Sequence, residues 1–318
     1  MADQRRGGIA WTEETLNPIR ARHRATGKIG WYCQRVSDGC KHCYAATMNE
    51  WRGNGVDYTV PALKEVELFL DAKILDAPLR WHRARRVFLC SMTDLFAEFV
   101  PDEWIDRIFC VMSDAPQHTF QVLTKRPDRM LAYVTDRHQF IASGAGLVNY
   151  ELGDRLTTWD RSPLPNVWLG VSVEDQATAD ARIPLLLQTP AALRWVSYEP
   201  ALAPVNFDPW LGYCTTSCVR FGEPTVLNAH SHPRIDWLVV GGESGSQARP
   251  FDLAWARSAI VQGRAAATLV FMKQIGSRPG FWGDSDIKWA NAHPRLYDPK
   301  GGDPQEWPED LRVREWPT

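Results

Sequence analysis

Residues 235–245 read Ile-Asp-Trp-Leu-Val-Val-Gly-Gly-Glu-Ser-Gly, an apolar run that ends abruptly in glycines and a carboxylate. The run is short, rich in β-branched and aromatic side chains, and continuous rather than alternating, which is typical of a parallel strand buried on both faces. Similar runs occur at 87–90, 120–123, 167–171, 193–196 and 268–272. Together the six runs predict the strands of one parallel sheet.

Helix-like segments separate several of these runs. They lie at 102–113, 175–187 and 253–267, and Asp252 is placed to cap the last of them. Alternation of strands and helices predicts the α/β class with a parallel sheet. A further short strand near 9–11 brings the count to seven, which favours a partial or complete (β/α) barrel of the TIM type over an open sheet.

Two long connections and the C-terminal segment depart from this alternation. The stretches near 135–161 and 212–233 are expected to be surface insertions, because they are long and interrupt the strand–helix order. Residues 276–318 are rich in Pro, Gly and Trp and are expected to pack on the barrel as an irregular extension. The barrel itself is then expected to comprise residues 1–275.

The composition narrows the class of protein. The chain has 318 residues, 36 Lys+Arg against 38 Asp+Glu, and 44% hydrophobic residues, which excludes an intrinsically disordered chain. No apolar run approaches the ~18 residues that span a membrane, and no signal peptide is visible, so a cytoplasmic protein without membrane partners is expected. In a reducing compartment, clustered cysteines indicate metal or redox chemistry rather than disulfides.

Three cysteines lie on one short segment, in the pattern C-x6-C-x2-C formed by Cys33, Cys40 and Cys43. Three thiolates on one loop suit a metal centre that is held from one side. The spacing leaves three interpretations open. The cysteines hold a [4Fe-4S] cluster with one open iron, or a zinc ion with His42 or His23 as fourth ligand, or no metal at all.

Polar residues follow each of the six predicted strands, and the carboxyl ends of parallel strands meet at one mouth of a barrel. The candidate catalytic residues among them are Asp94, Lys125, Glu174, Glu199 and Lys273. The candidate cofactor-binding residues are Ser91, Asp94, Ser172, Glu174, Glu199, Gly241, Gly242 and Glu243. The alternative for Glu174 and Glu199 is a salt bridge to Lys125, Arg126 or Lys273.

Several motifs together resemble one family. They are the segment 11–44, Ser-Met-Thr-Asp-Leu-Phe at 91–96, Leu-Thr-Lys-Arg-Pro at 123–127, Gly-Val-Ser-Val-Glu at 170–174, Arg-Ile-Pro at 182–184, Ser-Tyr-Glu-Pro at 197–200, Gly-Gly-Glu-Ser-Gly at 241–245 and Lys-Gln at 273–274. The chain is similar to the bacteriophage-type three-Cys-motif family, which resembles radical S-adenosylmethionine (SAM) enzymes. The resemblance implies a barrel of the radical-SAM type, a [4Fe-4S] cluster, SAM and an electron donor.

The resemblance also implies roles for particular residues. Cys33, Cys40 and Cys43 would ligate three irons, and the fourth iron would bind SAM, whose cleavage supplies a 5′-deoxyadenosyl radical that abstracts hydrogen from the substrate. Tyr44 would lie near the adenine. By position the segment 91–94 would hold the amino group of SAM, whereas 241–245 would approach its ribose or adenine. The substrate is left open between a nucleotide, a nucleic acid and a protein.

Other interpretations of the residues remain. The main alternative is a zinc-stabilised nucleic-acid-binding protein without redox activity, since two basic clusters are interleaved with aromatic residues. These clusters are Arg20, Arg22, Arg24 and Lys28 with Trp31, and Arg80, Arg83, Arg85 and Arg86 with Trp81. A metal-free hydrolase would use Asp94, Glu174 or Glu199 as base. Cys214, Cys218, His230 and His232 are candidate ligands of a second metal.

Overall fold

A computed structural model of the chain describes residues 8–144, 148–152, 155–212, 219–220, 223–224, 233–280 and 296–317. The helices are α1 (Tyr44–Arg52), α2 (Ala72–Leu75), α3 (Asp102–Ser113), α4 (Pro127–Ala142), α5 (Gln176–Gln188) and α6 (Leu253–Ala265). The strands are β1 (Glu14–Leu16), β2 (Ile19–His23), β3 (Ile29–Gly30), β4 (Val66–Leu70), β5 (Arg86–Leu89), β6 (Thr119–Thr124), β7 (Val148–Leu152), β8 (Arg155–Trp159), β9 (Val167–Val173), β10 (Leu193–Tyr198), β11 (Val219–Arg220), β12 (Glu223–Pro224), β13 (Trp237–Gly241), β14 (Phe251–Asp252), β15 (Leu269–Gln274) and β16 (Pro279–Gly280).

The main sheet has seven strands in the order β1-β5-β6-β9-β10-β13-β15. Neighbours are parallel, with Val87 opposite Glu14, Phe120 opposite Val87 and Trp237 opposite Trp195. All residues of β9 and β13 are buried, as expected for strands covered on both faces. The strands follow one another in chain order, which is the order of a (β/α) barrel. An α-helix lies in each connection except the one from β10 to β13, whose described residues contain only a short 3-10 turn at Asp208–Trp210. The α/β class and a partial barrel are thereby confirmed.

The predicted helices form within one or two residues of their expected bounds. Helix α5 is capped by Asp175, whose Oδ1 accepts the N–H of Thr178 at 2.8 Å. Helix α6 begins after Asp252, whose Oδ1 accepts the N–H of Ala254 at 2.8 Å, so the predicted cap is confirmed. Helix α4 has Pro127 in its first turn, where the missing N–H removes no helical hydrogen bond.

The predicted first strand near 9–11 is wrong. Strand β1 lies at Glu14–Leu16, where only Leu16 is buried. Trp11 is buried as well, but it packs on Phe88 at a centroid distance of 4.6 Å and lies outside any strand. The apolar residues near Trp11 led to the wrong prediction, because Trp11 is buried in the core without being part of a strand. The observed edge strand β1 contains few apolar residues.

The chain between β1 and β5 contains more structure than a single loop. Strands β2, β3 and β4 form a separate antiparallel sheet in the order β3-β2-β4. The cysteine segment follows β3 and leads into α1. The β2–β3 hairpin therefore separates the cysteine segment from the first strand of the main sheet.

The first predicted insertion is structured. Helix α4 continues to Ala142, and β7 and β8 then form an antiparallel hairpin. Arg107 of α3 lies over the ring of Tyr150, 3.8 Å from its centroid, so the hairpin packs on α3. Within the second insertion, Cys214, Cys218, His230 and His232 lie outside the described residues.

The chain divides into two compact units. One comprises Met1–Ser172 and Thr189–Leu193, and the other comprises Val173–Gln188 and Arg194–Thr318. The described part of the C-terminal segment packs within the second unit, where the N–H of Met272 donates to Val313 and the indole of Trp237 donates to Glu315. Among the described residues, no helix combines the length and apolarity that a membrane span requires.

His118 is a buried titratable group at the start of β6. Its Nε2 lies 3.0 Å from the carbonyl oxygen of Pro78, to which it donates. Burial lowers the pKa of His118; the hydrogen bond to Pro78 opposes this shift and the charge of Arg85 adds to it. The folded protein therefore holds a neutral ring at a pH where the unfolded chain binds a proton, which begins below about pH 6.5.

We expect His118 to reduce the free energy of unfolding as the pH falls below about 6.5, because protons then bind preferentially to the unfolded chain. Above about pH 6.5 the ring is neutral in both the folded and the unfolded chain, so His118 then causes no loss of stability with pH. In the His118→Gln variant, the loss of stability between about pH 7.5 and about pH 5.5 should be smaller than in the parent protein. Urea denaturation at both pH values measures the difference, and equal losses in the two proteins would contradict the expectation.

Candidate functional site

The three clustered cysteines lie around the start of α1 in the first unit. Cys33 follows β3, Cys40 ends a short 3-10 turn, and Cys43 is the residue that precedes the first turn of α1. Cys33 and Cys43 pack on the same apolar cluster, which is formed by Ala45, Tyr58 and Met92. All three cysteines are free thiols. The loop therefore brings at least two of its sulfurs onto one apolar surface.

The surroundings of these thiols set their protonation. Burial raises the pKa of Cys33 to about 12; the charge of Asp94 adds to the shift and that of Arg126 opposes it. Burial also raises the pKa of Cys43. Hydrogen bonds from the N–H groups of Ala46 and Ala45, at the start of α1, oppose this rise. Cys40 influences Cys43 electrostatically. Cys33 and Cys43 are therefore protonated thiols in the metal-free loop, and a bound cation would reverse this preference.

The donor set of the loop fits an iron–sulfur group in its chemistry. Thiolates are the ligands that iron–sulfur clusters and zinc prefer. A structural zinc ion needs a fourth ligand, yet His23 already uses Nδ1 to accept the N–H groups of Ala25 and Thr26. Over the part of the chain that the structure describes, no three His, Cys, Asp or Glu side chains are grouped so that they could hold a metal ion as they stand.

Asp94 lies at the end of β5, beside the cysteine loop, and its carboxylate is buried in a network of donors. Oδ1 accepts from the hydroxyl of Thr124 at 2.7 Å and from the N–H of Phe96 at 3.0 Å. Oδ2 accepts from the N–H of Lys125 at 3.0 Å and from Nη1 of Arg126 at 3.2 Å. Asp94 therefore joins the ends of β5 and β6. Its predicted catalytic and cofactor-binding roles stay predictions.

Arg126 is the buried cation of this network. From the sequence it was a candidate to bind a carboxylate or phosphate, or to pair with Glu174 or Glu199. Besides Asp94, it contacts Glu98 through Nε at 2.9 Å and the carbonyl oxygen of Gln34 through Nη2 at 3.3 Å. Burial by itself would lower the pKa of Arg126, but the charges of Asp94, Cys33 and Glu98 outweigh burial and raise it. A permanent positive charge thus lies beside Cys33.

The remaining predicted residues of the first unit also make contacts near the ends of β5, β6 and β9. Lys125 donates from Nζ to the hydroxyl of Ser172 at 2.7 Å and lowers the pKa of Cys43. Tyr44 donates to the carbonyl oxygen of Ser91 at 2.8 Å. Ser91 in turn donates to Asn17 at 3.3 Å. The predicted residues Cys43, Tyr44, Ser91, Lys125 and Ser172 are therefore linked by direct contacts or charge.

The turn after β5 is conformationally unusual. Cys90 has φ of 57°, a left-handed backbone conformation that non-glycine residues rarely adopt. The turn lets the N–H of Met92 donate to Asn17 at 2.9 Å, while the hydroxyl of Thr93 donates to the carbonyl oxygen of Tyr32. The segment 91–94 is thereby anchored against the residue that precedes Cys33.

In the second unit, Glu199 and Lys273 form an ion pair at the ends of β10 and β15. Lys273 Nζ lies 2.9 Å from Glu199 Oε1, and the hydroxyl of Ser197 donates to Glu199 Oε2 at 3.1 Å. A Cβ atom on Gly241 would lie 2.5 Å from Glu199 Oε1. The glycine therefore leaves room for this carboxylate. The alternative that Glu199 pairs with Lys273 is confirmed.

The neighbouring motif residues are likewise engaged by the protein itself. Glu243 pairs with Arg249, whose Nη2 lies 2.7 Å from Glu243 Oε1. A Cβ atom on Gly242 would lie 2.8 Å from the ring of Phe251 and 2.9 Å from the carbonyl oxygen of Ile275. Close packing thus accounts for Gly242. The roles of Gly241, Gly242 and Glu243 toward a cofactor stay predictions.

Glu174 and Arg182 form a buried ion pair in the second unit. Arg182 Nη1 lies 3.0 Å from Glu174 Oε2 and 3.3 Å from Oε1, and the two side chains are 9% and 1% exposed. Sequence analysis offered Lys125, Arg126 and Lys273 as partners of Glu174 and missed Arg182, although it quoted the Arg-Ile-Pro segment. The eight-residue separation hid the pair, because Glu174 directly follows β9 whereas Arg182 lies in the second turn of α5.

Replacing Arg182 by methionine is expected to reduce the free energy of unfolding by about 3–5 kcal/mol, because it leaves the Glu174 carboxylate buried without its cation. The matched control is Arg257→Met. Arg257 pairs with Asp310, but the side chains are 35% and 54% exposed, so its loss should cost about 1 kcal/mol or less. Urea titration of both variants measures the difference, and equal losses would contradict a buried pair at Glu174.

Asn49 is a further residue of the cysteine region that sequence analysis missed. This fully buried side chain of α1 accepts the N–H of Trp31 at 2.9 Å and donates to Asn54 at 2.8 Å and to the carbonyl oxygen of Val56 at 2.9 Å. A Cβ atom on Gly30 would lie 2.4 Å from Asn49 Oδ1, and one on Gly53 would lie 2.1 Å from it, so both positions need glycine. The only sequence signal was these two glycines flanking the loop and α1.

Comparison with known proteins gives a family. Residues 6–297 match the model of a family described as "Protein of unknown function (DUF5131)". The match spans most of the chain, so the chain belongs to this family. No curated protein and no solved structure matches it. The family description states no activity.

Proposed function

We propose that this member of the DUF5131 family is an iron–sulfur enzyme of the radical-SAM type, in which Cys33, Cys40 and Cys43 hold a [4Fe-4S] cluster. The observation that carries the proposal is that Cys33 and Cys43 are free thiols that pack on one apolar surface at the start of α1, with the thiol of Cys40 close enough to act electrostatically on Cys43. Three thiol ligands leave one iron of such a cluster open. When bound, the cluster and SAM would supply a 5′-deoxyadenosyl radical for hydrogen abstraction.

The charges around the loop support this donor set. Thiolates carry negative charge, and Arg126 and Lys125 both act on the loop thiols from the end of β6. Both cations oppose the larger effect of burial on the pKa of these thiols, and a bound metal ion would add to them in favouring the thiolate form that iron requires. The N–H groups at the start of α1 act on Cys43 in the same sense. Asp94 orients Arg126 beside Cys33, since Arg126 Nη1 lies 3.2 Å from Asp94 Oδ2.

The apolar residues beside the cysteine loop also support an iron–sulfur cluster at this site. Tyr58 and Met92 are buried and pack against Cys33 and Cys43. The hydroxyl of Tyr58 donates to the carbonyl oxygen of Met92 at 2.9 Å, so its polar atom is satisfied away from the sulfurs. This surface excludes water from one side of the thiols. Limited water access protects an iron–sulfur cluster and tunes its potential.

The test is the metal and acid-labile sulfide content of protein purified without oxygen. We expect about four irons and four sulfides per chain, with a broad visible absorption that bleaches on reduction with dithionite. Incubation of the reduced protein with SAM should then release methionine and 5′-deoxyadenosine. A single zinc ion without sulfide, persisting after attempted reconstitution of the cluster, would overturn the proposal and favour the zinc-stabilised nucleic-acid-binding protein.

A further inference from the structure

Helix α1 presents a row of apolar side chains to solvent. Tyr44, Met48 and Trp51 are all exposed, and Trp51 is 82% exposed. At 3.6 residues per turn, these three positions lie within about 60° of one another around the helix axis. We call these three residues the aromatic face of α1. Its neighbours on the opposite side of the helix, Ala45 and Asn49, are buried.

The segment that carries the aromatic face is basic in sequence, although two of its arginines pair with carboxylates of neighbouring segments, Arg22 with Glu67 and Arg35 with Asp57. Residues 20–52 contain seven Lys and Arg and two Asp and Glu, whereas the whole chain has a net charge of -2. Lys41 and Arg52 flank the face along the chain and are exposed. Glu50 lies on α1 too, but about 130° away from the centre of the face. An acidic ligand is therefore the charge complement of this surface.

The turn between β2 and β3 extends the basic surface. Arg24 and Lys28 are exposed on this turn. The turn leads into Gly30, where a Cβ atom would lie 2.8 Å from Cα of Gly53. Because Gly53 ends α1, the backbone of β3 touches the end of the helix that carries Trp51. Lys28 and Arg52 thus belong to connected parts of one surface.

The aromatic face also adjoins the cysteine loop. Cys43 directly precedes α1, and Tyr44 is its first residue. The helical rise of 1.5 Å places Tyr44 and Trp51 about 10 Å apart along the axis, a length of about three stacked nucleotides. Exposed rings flanked by Lys and Arg are how proteins bind unpaired bases and their phosphates. A duplex hides its base faces and would not use the rings.

We propose that the aromatic face of α1 and its basic flanks bind single-stranded nucleic acid and hold it beside the cysteine loop. The binding follows from the surface alone. The further step, that this strand is the substrate, rests on the proposed function. Trp51 would stack on a base, and Lys41, Arg52 and Lys28 would contact phosphates.

The test is fluorescence anisotropy of labelled 12-nucleotide single strands of DNA and RNA, and of the corresponding duplex, with the full chain at several salt concentrations. We expect Trp51→Ala to weaken binding of the single strand about tenfold or more, and Trp51→Phe to retain most of it. Lys41→Gln should reduce the slope of log affinity against log salt by about 0.7. The matched control is Tyr297→Ala, which removes a 97% exposed aromatic residue of the second unit and should leave binding unchanged.

The outcomes separate this inference from the proposed function, because iron content is measured on the same samples. A protein that holds its cluster but binds no single strand, or binds it equally well after Trp51→Ala, overturns the inference. Tighter binding of the duplex overturns it too. If Trp51→Ala instead weakens only the capture of an acidic protein, the face is a protein interface and the inference is wrong. Trp51-dependent binding by protein without a cluster supports the inference and counts against the proposed function alone.

Discussion

Serine in place of Cys33, Cys40 or Cys43 is expected to reduce iron and acid-labile sulfide from about four of each per chain to less than one. Each substitution removes one of three thiolates, and a serine hydroxyl is a harder ligand that iron–sulfur clusters bind poorly. The visible absorption and any SAM cleavage should be lost with the iron. Measurement requires protein that was reconstituted without oxygen and freed of loosely bound iron.

The matched control for these variants is Cys110→Ser. Cys110 is a buried free cysteine of α3, and its thiol donates to the carbonyl oxygen of Val148 at 3.2 Å. A serine at this position keeps a donor for that carbonyl and lies outside the cysteine loop. We expect normal iron content in this variant. Normal iron in the three loop variants, with loss in Cys110→Ser, would refute the assignment of the loop as the ligand set.

Asn49→Leu is expected to lower both the stability of the first unit and its retention of iron. The side chain has nearly the same size, but it cannot accept the N–H of Trp31 or donate to Asn54 and Val56. Each buried polar group left without a partner costs about 1–3 kcal/mol, so the first unit should lose about 3 kcal/mol or more. Because Asn49 ties α1 to the residues just before Cys33, iron retention per folded chain should fall as well.

A second destabilised variant, Asn166→Leu, separates a role of Asn49 in positioning the cysteine loop from a general loss of stability. Asn166 donates to the carbonyl oxygens of Met112, Ala115 and His118 at 2.9, 3.3 and 3.2 Å, and it precedes β9. Asn166→Leu should therefore also destabilise the first unit. We expect it to keep normal iron per folded chain, measured below its unfolding temperature. Equal loss of iron in both variants would show that Asn49 acts only through stability.

Most strands of the partial barrel could be predicted from the sequence, because a strand that is buried on both faces consists mainly of apolar residues. A strand covered on both faces needs a short continuous apolar run, and the runs at 120–123 and 167–171 meet that requirement along most of their length. Strand β1 was not predictable in the same way. It is an edge strand with one buried residue, Leu16, and its pairing with β5 depends on the sheet that is already present.

The candidate site divides along a similar line. The cysteines could be found from their spacing, and polar residues at strand ends could be found from their order. Their partners could not. The ion-pair partners of the carboxylates are Arg126 for Asp94, Arg182 for Glu174 and Arg249 for Glu243. Many Lys and Arg residues compete for each carboxylate in the sequence, and only the chain path decides which of them is near.

The sequence by itself determined the α/β class, six of the seven strands of the main sheet, the helix cap at Asp252 and the cysteine motif, because each depends on residues that are close in the chain. Only the tertiary structure decided that Asn49 ties α1 to the strand before Cys33, that Arg126 lies beside Cys33, and that Tyr44 and Trp51 face solvent. These features depend on burial and on contacts between distant segments. Burial is a property of what packs against a residue, which the local sequence does not contain.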